Sequence, residues 1–240
     1  MGNDPLSTLI ERLALKADDA VALAGVFGRE RVIERLSCLV AEGQEPQALS
    51  LLTGGIAQAF RSVRGGVRQT LALFVPGDLI DLQAHALGRA SVTVSALTTL
   101  RVVQAPRARL EELAVARPAI GRALWQSLAR DGAVLQEWLV GAGRRTAYAQ
   151  IAHLFCELSA RMKAAGLSDG ARCRFPLTQA EIADVTGLST VHVNRVLQQL
   201  RHEGLIELRQ GWLCITEPER LMVAAGFDPA YLGVRGQEIA

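Results

Sequence analysis

Hydrogen-bonding side chains recur along one stretch of the C-terminal third: Thr190, His192, Asn194, Arg195, Gln198 and Arg201, with Val191 among them. Val193, Val196, Leu197 and Leu200 interleave at helical spacing, so the stretch is a helix with one apolar and one polar face. No acidic residue enters that polar face before Glu203. A face meant only for solvent more often mixes Glu with Lys or Arg. A face laid against a duplex groove needs donors and acceptors near the helix N-terminus and no repelling carboxylates.

The flanking elements present such a face. Thr178 with Glu181 three residues on forms a capping box, opening a short helix over residues 179–185. Thr186-Gly187 ends it; Gly187 can take the positive φ of a sharp turn. Ser189 caps the second helix, which reaches residues 203–204. Two apolar runs, 205–208 and 212–215, flank Arg209-Gln210-Gly211 as strand, turn, strand, and Glu217-Pro218-Glu219 opens a last short helix. Ile182, Ala183, Val185 and Leu188 share a core with the second helix. Two helices, a tight turn and a hairpin describe a winged helix-turn-helix.

The residues Leu177-Thr178-Gln179-Ala180-Glu181-Ile182-Ala183-Asp184-Val185-Thr186-Gly187-Leu188-Ser189, then Val193-Asn194-Arg195-Val196-Leu197 and Glu203-Gly204-Leu205-Ile206, resemble the DNA-binding domain of the Crp/Fnr family of bacterial transcription regulators. The resemblance implies base contacts from Thr190, Val191, His192, Asn194 and Arg195, with Arg195 reading guanine. It implies phosphate contacts from Thr178, Gln179, Ser189 and Arg201. Val191 stands where many members carry a base-reading glutamate. Valine cannot accept from cytosine N4 but can touch a thymine methyl, which alters the expected half-site.

Upstream, residues 32–103 read as short strands. Residues 56–63 and 67–75 are joined by Arg64-Gly65-Gly66 as a hairpin, residues 75–80 form a turn into a strand, and residues 91–95 and 100–103 add further runs. The expected class is α+β: a β jelly-roll sensor domain with N-terminal helices (residues 1–116), a dimerisation helix and hinge (117–143), and the winged helix-turn-helix domain (144–240). Residues 18–35 carry helical apolar spacing. Leu124, Leu128, Leu135 and Trp138 are spaced as an a/d seam for a homodimer, and Gly141-Ala142-Gly143 reads as a hinge or helix end.

Val75-Pro76-Gly77-Asp78-Leu79-Ile80 resembles the turn before a cyclic-nucleotide phosphate cassette. Nucleotide-binding members continue with Gly-Glu, the glutamate holding a ribose hydroxyl, and later an Arg followed by Ser or Thr. Here Asp81-Leu82 and Arg89-Ala90-Ser91 stand instead. Asp81, Leu82, Arg89 and Ser91 are the candidate effector pocket, and these departures argue against cAMP. His85, without a partner histidine in its segment, argues against haem. The scattered Cys38, Cys156, Cys173 and Cys214 argue against zinc or an iron–sulfur cluster, so no cofactor or metal is expected.

Of 240 residues, 26 are Lys or Arg and 24 Asp or Glu, a net charge of +2; residues 144–240 hold 11 basic against 10 acidic, so only a local patch can attract nucleic acid. The longest apolar run, residues 20–28, is too short to span a bilayer. The first residues lack a secretory pattern, so a cytoplasmic location is expected. The expected function is a homodimeric, non-enzymatic regulator binding a pseudo-palindromic duplex site and RNA polymerase, without a membrane partner. The alternatives are a cupin-like jelly-roll metalloenzyme, or a cyclic-nucleotide or haem sensor whose winged helix binds protein.

Overall fold

A computed structural model describes residues 5–63, 65–168 and 172–233. Arg64, expected in the hairpin turn, lies outside them. The chain groups into two units. Residues up to Arg61 with Ala72–Gly132 form the first; Ser62–Leu71 with the chain from Ala133 onward form the second.

The first unit opens with α1 (Pro5–Arg12) and α2 (Ala17–Ala24). The strands are β1 (Arg31–Ile33), β2 (Cys38–Val40), β3 (Ala48–Gly54), β4 (Ala57–Ser62), β5 (Arg68–Phe74) and β6 (Leu79–Ile80). After α3 (Leu82–Leu87) come β7 (Thr93–Ala96), β8 (Leu100–Pro106) and α4 (Arg107–Ala116). They form two four-stranded sheets, ordered β1-β8-β3-β6 and β2-β7-β4-β5. Leu52, Ile80, Leu100 and Val102 from the first sheet meet Ala57, Ala59, Phe74, Val94 and Ala96 from the second in one buried cluster. That is the expected roll, closed by apolar side chains.

A second cluster joins α1, α2 and α4 to the roll through Leu9, Leu13, Leu23, Leu49, Leu51, Leu110 and Ile120. Residues 18–35 depart from the helical expectation. The helix stops at Ala24, before Gly25 and Gly28, and Arg31-Val32-Ile33 pairs antiparallel with β8, Arg31 facing Val102. The β-branched pair Val32-Ile33 suits an extended backbone better than a third helical turn.

The turn at Gly77-Asp78 is structural. Gly77 has φ +93° and its N–H donates to the Leu52 carbonyl at 2.8 Å. Asp78 accepts from the Val75 N–H at 2.8 Å and pairs with Arg12 at 3.1 Å and Arg130 at 3.7 Å.

The helix α5 (Pro118–Arg144) begins in the first unit, and its last turns belong to the second. It runs through Gly141-Ala142-Gly143 without a break. The chain turns instead at Arg145-Thr146, where Thr146 Oγ1 accepts from the Ala149 N–H and opens α6 (Ala147–Ala164). Arg145 folds back on α5, donating to the Glu137 carbonyl at 2.9 Å and its carboxylate at 2.7 Å. Thr146 is the stronger stop because its hydroxyl satisfies an orphan amide, which a helical glycine cannot do.

The second unit then adds β9 (Arg172–Arg174), α7 (Gln179–Thr186), α8 (Thr190–His202), β10 (Ile206–Arg209), β11 (Trp212–Ile215) and α9 (Pro218–Ala225). Its core centres on α6: Ile151, Leu154, Phe155 and Leu158 are buried, with Phe155 edge-on to Phe175 at 4.9 Å. Glu157 is fully buried there. It accepts from Trp138 Nε1 and the Tyr231 hydroxyl, both at 2.9 Å, and from Arg161 at 3.0 Å.

Candidate nucleic-acid interface

The helix pair α7–α8 is fixed at both N-termini by side-chain caps. The Thr178 N–H donates to the Glu181 carboxylate at 2.6 Å, and the Glu181 N–H donates back to Thr178 Oγ1 at 3.2 Å. Ser189 Oγ accepts from the His192 N–H at 3.3 Å. Between the helices Gly187 sits at φ +70°, its N–H donating to the Ala183 carbonyl at 2.8 Å. Ile182, Ala183, Val185, Val193, Val196, Leu197 and Leu200 are all buried. That apolar seam sets which face of α8 points outward.

The outward face holds the expected base-contact set. Thr190, Val191, His192 and Arg195 are exposed and Asn194 is half-buried. Val191 is 69% exposed. Asn194 is anchored: its Nδ2 donates to Gln179 Oε1, on the first turn of α7, at 3.2 Å. Thr178, Gln179, Ser189 and Arg201 are exposed on the same helix pair. At the far end of α8 the Tyr148 hydroxyl donates to the Glu203 carboxylate. Burial, with that bond, pushes the Tyr148 hydroxyl up to about 12, while the bonds from Tyr148 and Gln199 hold the Glu203 carboxyl below its ordinary range. The acid that ends the polar run is therefore tied back to α6.

The wing is a three-stranded sheet in the order β10-β11-β9, with Trp212 opposite both Arg209 and Arg174. The guanidinium groups of Arg172 and Arg174 each lie 4.3 Å from the Trp212 ring centre, in cation–π range. Sequence reasoning does not single out these arginines. The signal was the alternation Arg-Cys-Arg, with Cys173 buried between two exposed charges.

Of the seam residues on α5, Leu124 and Leu128 pack on the core of the first unit, and Trp138 is held by Glu157. Leu135 is exposed. Trp125, Leu139 and Val140 are exposed beside it along the helix.

The effector candidates have individual surroundings. Leu82 belongs to the apolar cluster under α1, Arg89 Nε donates to the Gly43 carbonyl at 3.1 Å, and Ser91 is exposed. Asp81 is buried at φ +59° with Oδ2 unpartnered, and burial pushes its carboxyl up to about 6. His85 on α3 is drawn below its ordinary range, chiefly by burial. Cys156 and Cys173 are buried, Cys214 half-buried and Cys38 exposed. Among the described residues no group of three His, Cys, Asp or Glu side chains could hold a metal ion, and no helix is long and apolar enough to cross a membrane.

Comparison with known proteins agrees with this architecture. Residues 149–224 match the Crp-like helix-turn-helix domain, and residues 30–117 match the cyclic nucleotide-binding domain. The transcriptional activator protein FnrA of Stutzerimonas stutzeri is 29% identical over 221 residues, covering 92% of this chain and 90% of that protein. The transcriptional activator protein Anr of Pseudomonas protegens is 27% identical over the same shares of each chain. Among solved structures, FixK2 from Bradyrhizobium japonicum superposes with a TM-score of 0.74 at 21% identity, covering 82% of this chain and 96% of that one. With both halves matched in order, and activators similar along nearly their whole length, this chain belongs to the Crp/Fnr family of DNA-binding transcription regulators.

Proposed function

We propose that the protein is a cytoplasmic homodimer that inserts α8 of each copy into successive major grooves of a pseudo-palindromic duplex site and acts through RNA polymerase. Thr190, Val191, His192, Asn194 and Arg195 contact bases; Thr178, Gln179, Ser189 and Arg201 hold phosphates. Arg172 and Arg174 on the wing sheet add fixed positive charge for flanking phosphates. The observation that carries the reading is the exposed, acid-free face of α8 held outward by its buried apolar seam. A single helix reads few base pairs. Two copies about 34 Å apart give usable specificity. The seam between copies runs along the exposed stripe of α5, where Trp125, Leu139 and Val140 join Leu135 of the spaced set.

The roll serves a signal other than a cyclic nucleotide. Where nucleotide-binding members hold a ribose, Leu82 is committed to the core, and where they hold the cyclic phosphate, Arg89 Nε donates to the Gly43 carbonyl. A buried ribose hydroxyl facing leucine would leave a polar group unpaired. The protein works as a regulator, without a catalytic centre of its own.

The test is site selection from a randomised duplex pool, followed by anisotropy titration of the enriched site against a scrambled one. Arg195→Ala should lose about 1–3 kcal/mol of preference for the enriched site while retaining weak, salt-sensitive binding. An unchanged ratio of specific to non-specific affinity would refute the assignment.

A further inference from the structure

The hydrogen bond between Gln179 and Asn194 links two residues fifteen positions apart, on different helices, at the mouth of the interface. A free asparagine on a helix rotates about its side-chain bonds, and ordering it on contact costs affinity. Here Gln179 Oε1 takes one of the two Nδ2 hydrogens at 3.2 Å and so fixes the plane of the carboxamide. The other Nδ2 hydrogen and Oδ1 remain as a donor and an acceptor. Adenine presents the matching pair in the major groove, with N7 accepting and N6 donating. Guanine offers two acceptors there, cytosine one donor, and thymine one acceptor with a methyl. Gln179 keeps its own amide hydrogens for a phosphate oxygen, so one side chain joins the backbone contact to the base contact.

We propose that Asn194 reads an adenine in each half-site, and that Gln179 is the positioning residue that holds its carboxamide in reading orientation. This rests on α8 entering the major groove. It goes beyond that reading by naming the base and by giving Gln179 a role other than phosphate contact.

The experiment compares enriched sites and affinities for the full-length wild-type protein, Asn194→Ala, Gln179→Ala and Gln179→Glu. Gln179 is exposed and Asn194 half-buried, and circular dichroism confirms folding. The wild type should prefer adenine at one position by about five- to a hundred-fold, and 7-deazaadenine there should weaken it several-fold. Asn194→Ala should abolish that preference and the 7-deaza effect. Gln179→Ala should reduce the adenine preference several-fold while the preference dependent on Arg195 persists. Gln179→Glu still accepts from Asn194 but repels phosphate. It should weaken all sequences together and keep the adenine preference. Equal weakening of every sequence by Gln179→Ala would overturn the positioning role. An Arg195-dependent guanine with no Asn194-dependent adenine would overturn the base assignment and leave the groove reading standing. No enriched sequence for the wild type would overturn both.

Discussion

Glu157→Gln is the sharpest test of how the second unit is held together. The carboxylate is fully buried and engaged on both oxygens: Oε2 accepts from Trp138 and Tyr231, and Oε1 accepts from Arg161. A carboxamide has one acceptor oxygen. If it serves Trp138 and Tyr231, its amide faces a guanidinium; if it serves Arg161, two donors lose their partner. Hydrogen bonds to charged groups contribute about 1.5–3 kcal/mol each, so the substitution should cost about 2–4 kcal/mol. Tyr231→Phe removes one donor and leaves the charge otherwise engaged, for about 1–2 kcal/mol. The assay is urea unfolding of the full chain, followed by tryptophan fluorescence and far-ultraviolet circular dichroism. The transition of each unit is fitted separately, because a two-unit chain need not unfold in one step. With a slope of about 1–3 kcal/mol per molar urea, Glu157→Gln should lower the midpoint of the second unit by roughly 1–2 M, and Tyr231→Phe by about half that. Midpoints within about 0.2 M of wild type for both variants would refute the claim that this carboxylate anchors α5 and Tyr231 to α6.

Asp81→Asn should stabilise the first unit at neutral pH. Burial raises the Asp81 carboxyl from 3.8 to about 6, so the native state holds a proton that the unfolded chain has released, and stability falls as pH rises across that window. After discounting for solvent screening, the gain should be about 1–2 kcal/mol above pH 6 and absent below 3.8, read from thermal melts at both ends; an equal gain at both would sink the linkage. The left-handed φ of +59° is one that asparagine tolerates. Leu139→Arg places a charge in the proposed seam twice per dimer, at an apolar loss of about 3–6 kcal/mol, and should give monomers by sedimentation at micromolar protein; a persistent dimer would remove this stretch of α5 from the interface.

The reading half of the molecule was legible because its signals are local. Thr178 with Glu181, Gly187 and Ser189 each act within one turn, and their caps and turn stand where the spacing put them. The roll was legible as strands for the same reason. What failed to show were long-range choices. The apolar run near residue 30 scans as helix, but the partner that makes Arg31–Ile33 a strand is β8, about seventy residues away. Gly141 and Gly143 look like a break, yet the helix runs on to Arg144, and Arg145 folds back onto Glu137. The leucine spacing of α5 was real, but spacing alone does not say which apolar face meets the chain's own core. Leu124 and Leu128 do, and Trp125 and Leu139 do not. Trp138 also donates from Nε1 to a buried carboxylate nineteen residues away, which no heptad reveals.

The hydroxyls of Thr178 and Ser189 show why capping and nucleic-acid contact are not competing roles. Each accepts one backbone N–H, at 3.2 and 3.3 Å, which uses a lone pair and leaves the O–H free to donate. A phosphate oxygen is an acceptor, and the first turn of a helix carries the positive end of its dipole. The bond that fixes each helix start therefore also aims a donor outward, at no further conformational cost. Gln179 repeats the device with a base-facing partner, accepting from Asn194 and keeping its own amide hydrogens. Phosphate contacts made this way are rigid but indifferent to sequence. In the proposed reading, discrimination falls to Thr190, Val191, His192, Asn194 and Arg195, of which Val191, Asn194 and Arg195 differ most in kind: a methyl surface, a carboxamide donor and acceptor, and a two-donor fork. Changing the preferred site should thus require changing these side chains or the Gln179 that orients Asn194, and changing the Thr178 and Ser189 caps should alter affinity for every sequence alike.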